Sequence, residues 1–175
     1  MSNPTSLLCL QLATLALPLT GPAASAQALE DADLKMVSAY TLTMPKYKQY
    51  LDDTVNLTKV AAKYPGLGKS LDGLGNRSLA EQVKVLDGMP QLRGAITATG
   101  LTARDFVLTQ GAALYAGMAH VLIKSGTLPP DSAVKKAGVS RANLEFFQKN
   151  EAELERLAKE AAAKAPELPD DDGGE

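Results

Sequence analysis

The stretch from Thr102 to Gly126, TARDFVLTQGAALYAGMAHVLIKSG, is the longest apolar segment after the N-terminal region, and its spacing is helical. Val107/Leu108, Gly111, Leu114/Tyr115, Met118 and Val121/Leu122 recur every three or four residues, so they share one face. Thr102 is placed to cap the start, with Asp105 three residues on as its partner. Gly126 suits a left-handed stop. A segment this long and apolar has to be wrapped by other elements, so it is expected to be the central helix. Phe106 to Ile123 carries no formal charge and reaches the lower edge of bilayer-spanning length. Thr109, Gln110 and His120 interrupt it, which favours a buried core helix and no stable membrane span in the mature chain.

Helical spacing recurs on both sides. Thr43 is a cap and Pro45 sits in the first turn, where its missing N–H costs nothing. Tyr47, Tyr50/Leu51, Thr54/Val55, Leu57/Thr58, Ala61 and Tyr64 then form the apolar face, and Asp52 and Asp53 are placed with the lysines on the surface. Before this, Leu29 to Tyr40 reads as a short helix or as extended chain. Residues 65–77, PGLGKSLDGLGNR, read as a glycine-rich loop. Ser78-Leu79-Ala80-Glu81 is a capping box for a helix with Leu79, Val83 and Leu86 inward. Pro90 opens a short helix with Leu92, Ala95, Ile96 and Thr99 on one side, ended by Gly100. Pro129-Pro130 breaks the chain after the central helix. Ser140 caps the last helix, whose face is Leu144, Phe147, Leu154, Leu157/Ala158 and Ala161. Glu145–Lys149, Glu155–Lys159 and Glu160–Lys164 are spaced for surface ion pairs. The expected fold is all-α: a compact, bundle-like domain of four main helices plus short ones, spanning residues 27–164.

Composition supports that class. Alanine and leucine dominate the 45 % hydrophobic fraction, aromatics are 5 %, and β-branched runs are scarce. The net charge is −2, yet residues 165–175 alone hold Glu167, Asp170, Asp171, Asp172 and Glu175, so the remainder is about +3. That is too mild and dispersed for a nucleic-acid footprint. The acidic end reads as a disordered tail.

The N-terminus reads as a secretory signal peptide over residues 1–26. Leu7 to Leu19 has the length of a signal h-region, and Ala24-Ser25-Ala26 is a cleavage site ahead of Gln27. MSNPTS lacks Lys and Arg, so the n-region charge comes only from the amino terminus. Cys9 is the single cysteine and lies inside this signal, with the apolar run after it, unlike a lipid-anchoring site. A mature chain without cysteine makes no disulfide and no thiolate metal site. Export without disulfides suits a periplasmic or secreted bacterial protein.

His120 is the only histidine. It shares a face of the central helix with Phe106, Thr109, Ala113, Ala116 and Gly117, a mostly small face that lets a second helix approach. It is a candidate haem ligand, or else a seam histidine with one hydrogen bond. At about 100° per residue Met118 lies about 160° and Tyr115 about 140° from it around the helix, so neither joins it on one metal. A second axial ligand would come from Met44 or Met89. Without C-x-x-C-H, covalent haem is excluded. Gly66-Leu67-Gly68-Lys69-Ser70 ends like a P-loop, but Lys63 stands where the first glycine belongs and a helix precedes it. Tyr40, Tyr47, Tyr50, Tyr64 and Tyr115 are core bodies or the lining of an apolar pocket. No constellation supports catalysis: no serine sits on a nucleophile turn, and H-E-x-x-H is absent.

Leu101-Thr102 leading into Arg104-Asp105-Phe106-Val107-Leu108-Thr109, then Ala116-Gly117-Met118-Ala119, Leu128-Pro129-Pro130, and Ala142-Asn143-Leu144-Glu145-Phe146 form a set over residues 101–147. It resembles small exported helical proteins of unknown function from Gram-negative bacteria. The resemblance implies no activity. The expected role is a non-enzymatic periplasmic domain binding a protein partner or small ligand, with no resident cofactor; the alternative is a haem-binding bundle using His120.

Overall fold

The computed structural model describes residues 31–71, 73–136 and 139–166. The signal peptide read over 1–26 and the acidic residues from Glu167 onward lie outside the described residues. The elements in order are α1 (Asp31–Ala39), α2 (Met44–Lys63), α3 (Pro65–Leu71), a 3-10 turn (Leu74–Asn76), α4 (Leu79–Gly88), α5 (Pro90–Thr97), α6 (Ala103–Lys124), α7 (Pro130–Lys136) and α8 (Arg141–Lys164). The described residues contain no strand, so the all-α expectation holds.

The caps read from the sequence start the helices. Thr43, Thr102 and Ser140 each accept from the backbone N–H three residues on, and Ser78 with Glu81 closes a full capping box. These contacts satisfy donors that have no partner inside the helix. Gly100 and Gly126 take positive φ, 96° and 74°, where α5 and α6 end. Residues 65–71 depart from expectation. They form a short helix, because Pro65 supplies a preset first turn and Leu71 finds a buried site in the core.

Three long helices, α2, α6 and α8, of 20, 22 and 24 residues, pack against one another and form the frame. α5 lies on α2, and α4 lies on α5 and α6. Aromatic rings knit the frame together. Tyr47 meets Phe147 at 6.4 Å and Phe146 at 6.5 Å, and Tyr50 meets Phe106 at 5.2 Å. Tyr47 and Tyr50 are therefore core bodies. Burial pushes the Tyr50 hydroxyl up to about 12, and pushes Tyr47 up as well, with Tyr50 beside it adding to the effect.

The face that α6 buries differs from the one expected. Phe106, Thr109, Ala113, Ala116 and Gly117 go inside together with Ala112 and Ala119. Of the large-residue face only Val107 and Leu108 are buried, while Leu114, Met118, Val121 and Leu122 are 43, 49, 45 and 36 % exposed. Small side chains let helix axes come closer, so α8 settles on the alanine–glycine side. α1 covers the large-residue face only near Gly111, where an added Cβ would stand 2.9 Å from Val37 Cγ2.

Two buried polar side chains fix irregular chain. Asn143, at the start of α8, takes the Leu42 N–H at 2.9 Å and donates to the Tyr40 carbonyl at 2.7 Å. Asp33 accepts the Leu79 N–H at 2.8 Å, adding a second cap to α4. On the surface, Lys149 pairs with Glu145 as spaced, whereas Arg156 takes both Glu153 and Glu160. The expected Glu160–Lys164 pairing gives way because the guanidinium fork reaches both carboxylates at once.

Replacing Asn143 with Ala strands both backbone groups and is expected to cost about 2–3 kcal/mol in chemical denaturation. Gly111→Ala gains helix propensity but overpacks a stiff, buried valine, for a net loss of about 1 kcal/mol. Adding Val37→Ala is expected to recover part of that loss, so a double-mutant cycle reads a coupling between the two positions.

Candidate functional site

Three places combine chemistry with an unusual setting. The first is the seam of α6 and α8 around His120. Its side chain is 13 % exposed, and its Nε2 stands 3.4 Å from Glu151 Oε1 without an aligned hydrogen bond. Lys124 Nζ reaches the same oxygen at 2.5 Å. The lysine bond, with His120 behind it, holds the Glu151 carboxyl below its usual range. Gly117 leaves the room through which Phe147 and Leu154 of α8 pass beside His120. The cavity there is about 50 Å³, lined also by Val121 and Glu155.

A ligand-sized pocket is typically about 300 Å³ or more. The residues around His120 do not fit a haem: the space is too small, and the imidazole edge already faces a carboxylate shared with an ammonium. A groove between α2 and α8, lined by Lys48, Leu51, Asp52, Leu157, Glu160, Ala161 and Lys164, holds about 160 Å³, also below that range. Among the described residues no three His, Cys, Asp or Glu side chains gather as a metal site. The glycine-rich segment is helix following helix at 65–71, which does not provide the strand and loop that cradle phosphate.

The second place is the open face of α6. Leu114, Met118, Val121 and Leu122 stand at i, i+4, i+7 and i+8, so they line one stripe. Among the described residues, the exposed large apolar side chains beyond these are limited to Tyr64, at the end of α2. Four of five such residues therefore fall on a single helix face. α6 is also long and apolar enough to cross a membrane by length and composition alone, with 44 % of that apolar window buried in the fold. The periodicity was visible in the sequence; which neighbour would cover it was not.

The third place is Asp53 on α2. It was expected on the surface with Asp52, and the structure buries it completely. Neither carboxylate oxygen has a hydrogen-bond partner, and the facing Thr99 hydroxyl is also buried without one. The signal available in the sequence was the spacing of Gln49, Asp53 and Asn56, a polar stripe at i, i+4 and i+7 beside the apolar face of the helix.

Comparison of the chain with known protein families, with characterised proteins and with solved structures finds no match.

Titrating haem into the purified full chain and into its His120→Ala variant is expected to give the same weak absorbance change. A Soret shift confined to the wild-type chain is the result that would assign haem ligation to His120.

Proposed function

We propose that the chain is an exported, non-enzymatic docking domain whose binding element is the open face of α6. The observation that carries this reading is the stripe of Leu114, Met118, Val121 and Leu122 left to solvent on a helix otherwise packed inside the fold. Single exposed apolar residues are ordinary; a contiguous stripe is a contact surface.

The proposed occupant is the apolar face of an amphipathic helix from another protein. The spacing i, i+4, i+7 is the one by which helices interdigitate, and the methionine adapts to a partner's shape. A small ligand is disfavoured because the cavities near α6 and α8 fall below ligand size. A membrane surface is disfavoured because lipid-binding helices flank the apolar stripe with bases. Here Phe106 to Ile123 carries no formal charge, and Lys124 is engaged by Glu151. A stable dimer of this chain through four side chains falls well short of the roughly 800 Å² per partner that such interfaces bury. The area suits reversible docking. The signal peptide read at residues 1–26, with its predicted cleavage before Gln27, supports docking in the periplasm or outside the cell.

Because the stripe is already solvated, Met118→Glu and Val121→Glu are expected to change stability by no more than about 0.5 kcal/mol. A photo-crosslinking amino acid at Met118, in the full chain expressed with export, is expected to give an adduct with one other protein. That adduct disappears with Leu122→Glu, and a peptide of the partner's helix binds the purified wild-type chain but not Leu122→Glu. Adducts only with a second copy, only with lipid, or none at all overturn the proposal.

A further inference from the structure

We infer that Asp53 is a proton-binding group built into the seam between α2 and α5, and that its charge state sets how firmly α5 and the turn leading into α6 stay docked. This inference is independent of what docks on α6.

The geometry of the seam carries it. Gln49, Asp53 and Asn56 form one stripe of α2 directed at the C-terminal end of α5. Gln49 Nε2 donates to the Thr99 carbonyl at 2.7 Å, and Asn56 Nδ2 donates to the Ala95 carbonyl at 3.4 Å. Both neighbours of Asp53 thus give hydrogens to carbonyls. A helix C-terminus is the negative end of its dipole and disfavours an anion there. Asp53 is fully buried at this point, with both oxygens unpartnered and the unpartnered Thr99 hydroxyl opposite.

Among the described residues no ion pair relieves it. Arg93 is the charged residue of α5, and it is exposed. α8 meets α2 along a surface groove through Lys48 and Asp52, with Glu160 and Lys164 opposite. α6 presents the uncharged Phe106 ring. α3 carries Lys69 in its sequence. Arg93, Lys48 and Lys164 form no ion pair with Asp53. The form of residue 53 that suits such a place is the neutral acid, whose O–H can donate to the Thr99 hydroxyl oxygen. A carboxylate there would be a buried charge away from solvent, with the Thr99 hydroxyl as the neighbouring donor to offset it, a costly arrangement.

The electrostatics of the site agree. Burial raises the Asp53 carboxyl from its ordinary 3.8 to about 7, Thr99 lowers it in part, and Asp52 raises it. The sign of the linkage follows. Below about pH 4 both folded and unfolded chains hold the proton, and Asp53 imposes no penalty. Between about pH 4 and about pH 7 the folded chain holds a proton that the unfolded chain has released, so stability falls as pH rises. Above about pH 7 the loss is complete and constant. α5 feels the loss first, because the Gln49 and Asn56 bonds that hold its end flank the charge.

The test compares the full chain with its Asp53→Asn variant, both in a His120→Gln background that removes the single imidazole. Thermal midpoints are read by circular dichroism from about pH 4.5 to about pH 8.5, where the Asp53 linkage acts. The Asn variant is expected to match its parent at the acid end and to exceed it increasingly toward pH 7, with a constant difference above. Amide exchange across Pro90–Gly100 at about pH 8 is expected to slow at least ~10-fold in the variant. A midpoint difference that does not change with pH, or unchanged exchange in that segment, overturns the inference. Carbon-detected NMR of the Asp53 carboxyl in the unmutated chain needs no folding variant. A titration midpoint near 7 supports the inference, and one near 4 defeats it.

Discussion

The close seating of α8 on the alanine and glycine side of α6 is the constraint from which the rest of this fold follows. Gly117 lets the long helix carrying Phe147 and Leu154 come near, and Ala113 and Ala116 are buried on the same side. Once those residues are inside, α6 has its larger side chains left over on other faces. Val107 and Leu108 are absorbed by the core, and α1 covers the position of Gly111 through Val37. Leu114, Met118, Val121 and Leu122 stay exposed, with only Val121 at the edge of the α8 seam. Each forgoes on the order of 1 kcal/mol of burial, a plausible sum for a domain to forgo where a partner's surface supplies the cover. The same choice that makes the core tight makes the stripe available.

Polar groups inside the fold sort by which end of a helix they meet. Asp33 faces the N-terminal end of α4, where backbone N–H groups lack partners, and it accepts one of them. Asn143, able to give and to take, bridges the turn between α1 and α2 to the first turn of α8. Asp53 stands at the C-terminal end of α5, where carbonyls already fill the acceptor role. An acid there can contribute only by keeping its proton. Residue type alone does not separate Asp33 from Asp53; the polarity of the helix end opposite each one does.

This sorting explains what the sequence could and could not convey. Caps are local: Thr43, Ser78, Thr102 and Ser140 act on atoms three residues away, so their roles were legible from spacing. So was the inner face of α2, where Tyr47, Tyr50, Leu51, Val55, Leu57 and Ala61 are buried as expected. The choice between two apolar faces of α6 was not legible, because it depends on which side chains of α8 fit where. Residues 65–71 were read as a loop from their glycines, and packing of Leu71 turned them into a helix. Asp53 was read as surface because charge next to charge in Asp52-Asp53 resembles a solvated face. About 100° of rotation places the second carboxyl inward, against a helix end more than forty residues further along the chain. The seam histidine was legible as an alternative, and Glu151, its neighbour across the seam, was not, since nothing local joins positions 120 and 151.

The two proposals act at opposite ends of α6. Asp53 bears on the end of α5, which passes through the positive-φ turn at Gly100 straight into the Thr102 cap of α6. That N-terminal part of α6 is further held by Tyr40, whose hydroxyl bonds Thr109 at 3.0 Å. The open stripe begins only after Gly111, beyond these anchors, and runs to the Gly126 stop. A proton at Asp53 therefore changes the footing of α6 and leaves the chemistry of its exposed face untouched. Docking strength on the stripe is set by apolar contact, which does not titrate, while the persistence of the helix that displays it is set at the buried end. A loss of docking that tracks the opening of α5 would then be a loss of folded domain, and a loss at constant fold would belong to the stripe itself.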